Sequence, residues 1–143
     1  MSKLSIRLKE YMGEREIDQS SLAKATGIER SNISEFLSEK HTPSFDNFVS
    51  LLYFFNCSAD YLLGLADIHT EEILHPVLPF SERLRAMLKE RNLTQAKLIE
   101  DLEISSAVPF KWLSGKNSPS IESLIRLAKY FDCSVDYLIG RVR

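Results

Sequence analysis

"FNCSADYLLG" at residues 55–64 returns as "FDCSVDYLIG" at residues 131–140. The offset is 76 residues. Carried back without a gap, it aligns 4–64 with 80–140 at about one third identity. Arg7 falls on Arg83, Leu8 on Leu84, Gln19 on Gln95, Leu22 on Leu98, Ile28 on Ile104 and Leu37 on Leu113. Pro43 and Ser44 fall on Pro119 and Ser120. A self-match of that length is a tandem duplication, and such a repeat is read before any local pattern. The chain is therefore copy one (1–66), a linker (67–79) and copy two (80–143). Each copy is smaller than the usual domain, so it needs an efficient helical core.

Every periodic stretch repeats at 3.6 residues and none alternates like a strand. The first helix carries Leu4, Leu8, Tyr11 and Met12, and its counterpart Phe80, Leu84, Met87 and Leu88. Asp18 and Thr94 are N-caps for a short second helix. A tight turn leads to a third helix with Ile33, Phe36 and Leu37 inward. The fourth helix follows "TPS" or "SPS", and the fifth starts at Ser58 or Ser134. Cys57 with Leu62, and Cys133 with Leu138, then form hydrophobic staples, so both cysteines read as buried, reduced and structural. Five short helices per copy give an all-α bundle.

The 143 residues are 44% apolar and 27% charged, as in a globular protein. No apolar run approaches the ~20 residues of a membrane span, and the first residues lack the apolar centre of a signal peptide. A cytoplasmic protein is expected. The net charge of −2 hides an asymmetry. Residues 1–66 hold seven Lys/Arg against nine acids, 67–79 three acids with no Lys or Arg, and 80–143 eleven against eight. Pro76 and Pro79 keep the linker from being one long helix. Fully extended it reaches ~45 Å, and Thr70–Leu74 has room for one helical turn.

A short helix, a tight turn and a helix with apolar residues at fixed places form a helix-turn-helix pattern. It occupies second and third position of five. The stretches "DQSSLAKATGIERSNISEFLSEKHTPSFDNFVSLLYFFNCSADYLLG" and "TQAKLIEDLEISSAVPFKWLSGKNSPSIESLIRLAKYFDCSVDYLIG" carry it. Each has a Gln opening the second helix, Pro-Ser before the fourth and the "CSxDYLxG" ending. The chain resembles the XRE family of lambda-repressor/Cro-like DNA-binding domains over nearly its whole length. The resemblance implies two tandem five-helix lambda-repressor-like domains, each with its third helix in the major groove. It also implies that Gln19 touches phosphate or braces the third helix.

The residues of copy one suit that role. Arg30, Ser31, Asn32, Ser34 and Glu35 are polar and lie on the N-terminal half of the third helix. Arg pairs with guanine, Asn with adenine, and Glu accepts from the cytosine amino group. Lys40 follows, where a basic residue meets phosphate. Copy two departs. Ala23, small where the helices cross, becomes Ile99; Gly27, at the turn, becomes Glu103; and Ile33 becomes Pro109. Proline is tolerated only in a first turn, so this helix is expected to start late or tilt. Ala107, Val108 and Phe110 replace polar side chains, leaving thymine methyl groups or another protein as contacts. Gln95, Lys97, Lys111, Lys116 and Asn117 around them read as a phosphate clamp. Trp112 aligns with Phe36 and reads as core.

The fourth helix of copy one, "FVSLLYFFN", is apolar on almost every side. Tyr53, Phe54 and Leu52 are therefore expected to pack against copy two or a second chain. His41, His69 and His75 form no metal-ligand spacing, and no phosphate loop or nucleophile motif appears. No enzyme, cofactor, metal or small-molecule ligand is expected. The partner is double-stranded DNA, with a homodimer open. Function is expected to be a sequence-specific transcriptional regulator, a repressor, copy one reading bases and copy two anchoring or mediating association. The rival is an antirepressor or adaptor that uses the fold without DNA, which the overall acidity favours.

Overall fold

The computed structural model describes residues 3–143, which form ten α-helices and no strand. In copy one these are α1 (Lys3–Glu14), α2 (Gln19–Thr26), α3 (Arg30–Leu37), α4 (Phe45–Phe55) and α5 (Ala59–Leu62). In copy two they are α6 (Phe80–Glu90), α7 (Gln95–Leu102), α8 (Ala107–Ser114), α9 (Ile121–Phe131) and α10 (Val135–Leu138). The chain divides into two compact units between Glu72 and Ile73, inside the linker. No described helix is long and apolar enough to cross a membrane.

The duplication is written into the caps. Asp18 accepts the Ser21 amide at 2.8 Å, and Thr94 the Lys97 amide at 3.1 Å. Ser44 and Ser120 cap α4 and α9 at 3.2 Å each, and Ser58 and Ser134 cap α5 and α10 at 3.0 Å each. Left-handed residues also pair across the copies: Glu16 with Asn92, Gly27 with Glu103, Glu39 with Gly115, Asn56 with Asp132, and Gly64 with Gly140. These end helices or turn the chain between them, where a left-handed residue lets an orphan carbonyl be satisfied.

Each unit buries its own core. Leu8, Leu22, Ile33, Phe48, Leu51, Leu52 and Leu62 fill the first; Leu84, Met87, Leu98, Leu124, Leu127 and Leu138 fill the second. Leu52 is thus core of its own unit, not part of an interface, because its position on α4 falls on the inward stripe. Phe54 is half-buried, with Arg15 over its ring and donating to its carbonyl. Only Tyr53 of the three expected contact residues stands open, at 48% exposure. Cys57 is buried, but Cys133 only half so.

Paired arginines close each bundle. Arg7 donates to the Tyr61 and Ala66 carbonyls and lies 4.0 Å over the Tyr61 ring. Arg83 donates to the Tyr137 and Leu138 carbonyls at 2.7 and 3.0 Å. Arg15 and Arg91 do the same for the ends of α4 and α9. A cation at carbonyls near a helix C-terminus adds hydrogen bonds there and suits the helix dipole.

The linker is held at both ends. His69 stacks on Tyr61 at 3.9 Å between ring centres, and its Nδ1 lies 3.2 Å from the Tyr11 hydroxyl. In the second unit, the His75 amide donates to the Arg141 carbonyl at 2.7 Å and the Leu78 amide to the Ile139 carbonyl at 3.1 Å. Leu78 occupies the space that a Cβ on Gly140 would need. Thr70–Leu74 forms no helical turn.

Candidate nucleic-acid interface

In copy one, α3 packs against α2 and α1. Ile33, Phe36 and Leu37 are buried, which turns Arg30, Ser31 and Ser34 to solvent and leaves Asn32 and Glu35 half-buried. Lys40 is exposed just past the helix end, and Gln19 is half-buried at the first position of α2. The carboxylate of Asp18 is held below its usual range by the Ser21 amide and hydroxyl, with a smaller contribution from the charge of Arg30. The Glu35 carboxylate lies 3.7 Å from the His41 ring. One surface therefore carries a helix of donors and acceptors flanked by Lys40.

In copy two, α8 starts one residue later than its counterpart. Ser106 is its N-cap and makes no side-chain cap bond; instead the preceding Ser105 accepts the Ala107 amide on its hydroxyl at 3.3 Å and the Val108 amide on its carbonyl at 3.1 Å. Pro109 is the third helical residue, where an amide has no helical partner to lose. Its ring is buried where Ile33 is buried in copy one. The packing partner changes as well: α8 packs mainly on α6, whereas α3 packs mainly on α2. Trp112 is buried edge-on against Phe80, as core. Phe110 is 65% exposed and Val108 37%.

A helix-turn-helix domain model matches residues 6–68, and a second helix-turn-helix model matches 84–138. The chain carries two helix-turn-helix domains of the XRE type in tandem. It is 39% identical over 63 residues to the HTH-type transcriptional activator BcrR of Enterococcus faecalis, covering 44% of this chain and 31% of that protein. It is 34% identical over 64 residues to the cryptic phage CTXphi transcriptional repressor RstR of Vibrio cholerae, covering 45% and 57%. A crystal structure of a transcriptional regulator from Listeria innocua aligns at 39% identity and a TM-score of 0.40, covering 45% of this chain and 60% of that one. The matched stretches span less than two thirds of these curated relatives.

The two helix-turn-helix domains differ in the charge around the third helix. Glu29, Glu35 and Glu39 lie along and beside α3; Ser105, Lys111 and Gly115 hold those places at α8. From Ile104 to Asn117 copy two has two lysines and no acid. Lys111 is half-buried, and Lys116 and Asn117 are exposed. Gln95 is half-buried at the start of α7. Lys97, expected in the phosphate clamp, is exposed and ion-paired. Its ammonium lies 3.1 Å from Asp101, which also accepts the Tyr130 hydroxyl at 2.6 Å. Burial and that hydrogen bond push the Tyr130 hydroxyl up to about 12. Lys97 and Asp101 face one another because they are four residues apart on one helix, a spacing visible in the sequence. The acids beside α3 were equally visible. The duties of Arg7, Arg15, Arg83 and Arg91 were signalled only by their recurrence at 76 residues.

Proposed function

We propose that the protein is a sequence-specific DNA-binding transcriptional regulator in which copy one reads base edges and copy two supplies the anchoring contacts. The observation that carries this is α3: Arg30, Ser31 and Ser34 face solvent, with Asn32 and Glu35 half-buried beside them, because Ile33, Phe36 and Leu37 are all buried. A helix of that kind fits the ~12 Å major groove. Arg30 and Asn32 would read guanine and adenine. Gln19, Gln95, Lys40, Lys111, Lys116 and Asn117 would meet the backbone. The protein acts by occupying DNA, without catalysis, and repression is the regulation that occupancy alone provides. The relatives include both a named activator and a named repressor.

The measurement is binding to duplexes selected from random sequence, titrated with salt. Sequence-specific affinity that falls steeply with salt is the expected result. Absence of any salt-sensitive DNA binding would falsify the proposal. The second reading, an interaction module that binds no DNA, is favoured by Glu29, Glu35 and Glu39 around α3, since carboxylates oppose phosphate. Tyr53 is the remaining candidate contact for a second chain, and light scattering of Tyr53→Lys tests it.

A further inference from the structure

We infer that α8 is a reader of 5-methyl groups on pyrimidines, thymine above all, rather than a docking surface for protein. The inference rests on the proposal that this protein binds DNA. At about 100° per residue, burial of Pro109 and Trp112 fixes the rotation of α8 about its axis. Ala107, Lys111 and Ser114 then run down the centre of the outward face. Phe110 lies along one edge and Val108 along the other.

Copy one places Ser31, Glu35 and Ser38 on the same centre line, and Ser34 and Asn32 on the edges. The exchange is thus consistent across the face: both hydrogen-bonding edges become apolar, and the central carboxylate becomes a lysine. A small Ala107 at the centre permits close approach. Phe110 and Val108 present hydrocarbon to both sides of a groove floor, where thymine offers its methyl group.

Charge separates the two kinds of occupant. Two exposed apolar side chains, flanked by Lys111 and Lys116 with no acid from Ile104 to Asn117, are a small patch in a positive field. Protein interfaces put a broad apolar core at the centre and deplete lysine there. α8 has the reverse, with Lys111 at the centre of its outward face and apolar side chains only along the two edges.

The test uses the full chain and the tightest duplex selected from random sequence. Each thymine is replaced singly by deoxyuridine, which removes one methyl group and no phosphate. At one or more positions, wild-type affinity should fall about fourfold, the worth of one buried methyl. The salt slope should not change. A Val108→Ala, Phe110→Ala variant should bind the thymine and deoxyuridine duplexes equally, with the wild-type salt slope. Both side chains are exposed, and unchanged thermal unfolding verifies that the variant folds.

Indifference of the wild type to every replacement overturns the inference, as does persistence in the variant of every deoxyuridine effect seen with the wild type. In either case salt-sensitive binding remains, so the DNA-binding proposal stands. A rise in mass without DNA that depends on Phe110, together with indifference to deoxyuridine, assigns the face to a second copy instead.

Discussion

The third helices of the two copies, α3 and α8, grew from one repeat and now face the solvent with opposite chemistry. α3 shows Arg30, Ser31 and Ser34, with Asn32 and Glu35 half-buried, and has Glu29 and Glu39 at its ends. α8 shows Val108 and Phe110, with Lys111 half-buried on it and Lys116 exposed just past its end. Behind them much of the scaffold recurs, although α8 packs mainly on α6 where α3 packs mainly on α2. The caps of the second, fourth and fifth helices, the same five left-handed positions, and the arginine-held carbonyls of Tyr61/Tyr137 and Phe55/Phe131 recur 76 residues apart. Caps and cores are constrained by their own hydrogen bonds and packing, whereas an exposed helix face answers only to its partner. A duplicated fold is free to change its surface without paying in stability.

That comparison is most severely tested at its one point of contact with the scaffold, Ile33 against Pro109. The Ile33 amide donates to the Glu29 carbonyl at 3.2 Å, while Pro109 occupies a position that needs no donor. Ile33→Pro should therefore cost about 3 kcal/mol or more in chemical unfolding, and Pro109→Ile should change stability by under about 1 kcal/mol. Equal losses would mean that α8 tolerates its proline for some other reason.

The proposed division of labour is the next target. Arg30→Ala and Asn32→Ala should each lower affinity for the selected site about 10- to 100-fold and relax the base preference there. Lys111→Ala with Lys116→Ala should weaken binding to all sequences alike and reduce the salt slope by about 2. If the lysine pair alters base preference instead, the roles of the copies are reversed.

A smaller effect is expected at the turn. Glu103 holds a φ of 52° where Gly27 holds 77°. Glu103→Gly should raise stability by about 1 kcal/mol, and Gly27→Glu should lower it by a similar amount. Smallest of all is the release of Lys97. Asp101→Ala should steepen the salt dependence of DNA binding by about one ion, because Lys97 then becomes available to phosphate. An unchanged slope means that Lys97 stays clear of DNA even when unpaired.

Much of this organisation was legible in the sequence, because a repeat supplies its own alignment. The helices, the N-caps, the buried place of Pro109 and the core role of Trp112 all follow from periodicity and from one copy read against the other. Leu52 was misread: "FVSLLYFFN" has apolar residues all round, and periodicity cannot say which of several apolar stripes faces inward. The linker's attachments were hidden as well. They depend on Tyr11, Tyr61 and His69 meeting in space, and on backbone hydrogen bonds that no composition signals. Lys97 was read by charge alone, without the acid one turn away.

Those attachments change what the linker does. With His69 held to the first unit and His75 to the second, only Thr70–Leu74 is left to pay out, some 20 Å at full stretch. If, as proposed, both domains bind DNA, then once either has found its site a tether that short presents the other at millimolar effective concentration. Two modest affinities then multiply on duplexes whose two sites match the span. They fail to multiply on all others, so spacing becomes part of the address. His69→Ala lengthens the leash without touching either reading helix, and is the variant with which that address would be rewritten.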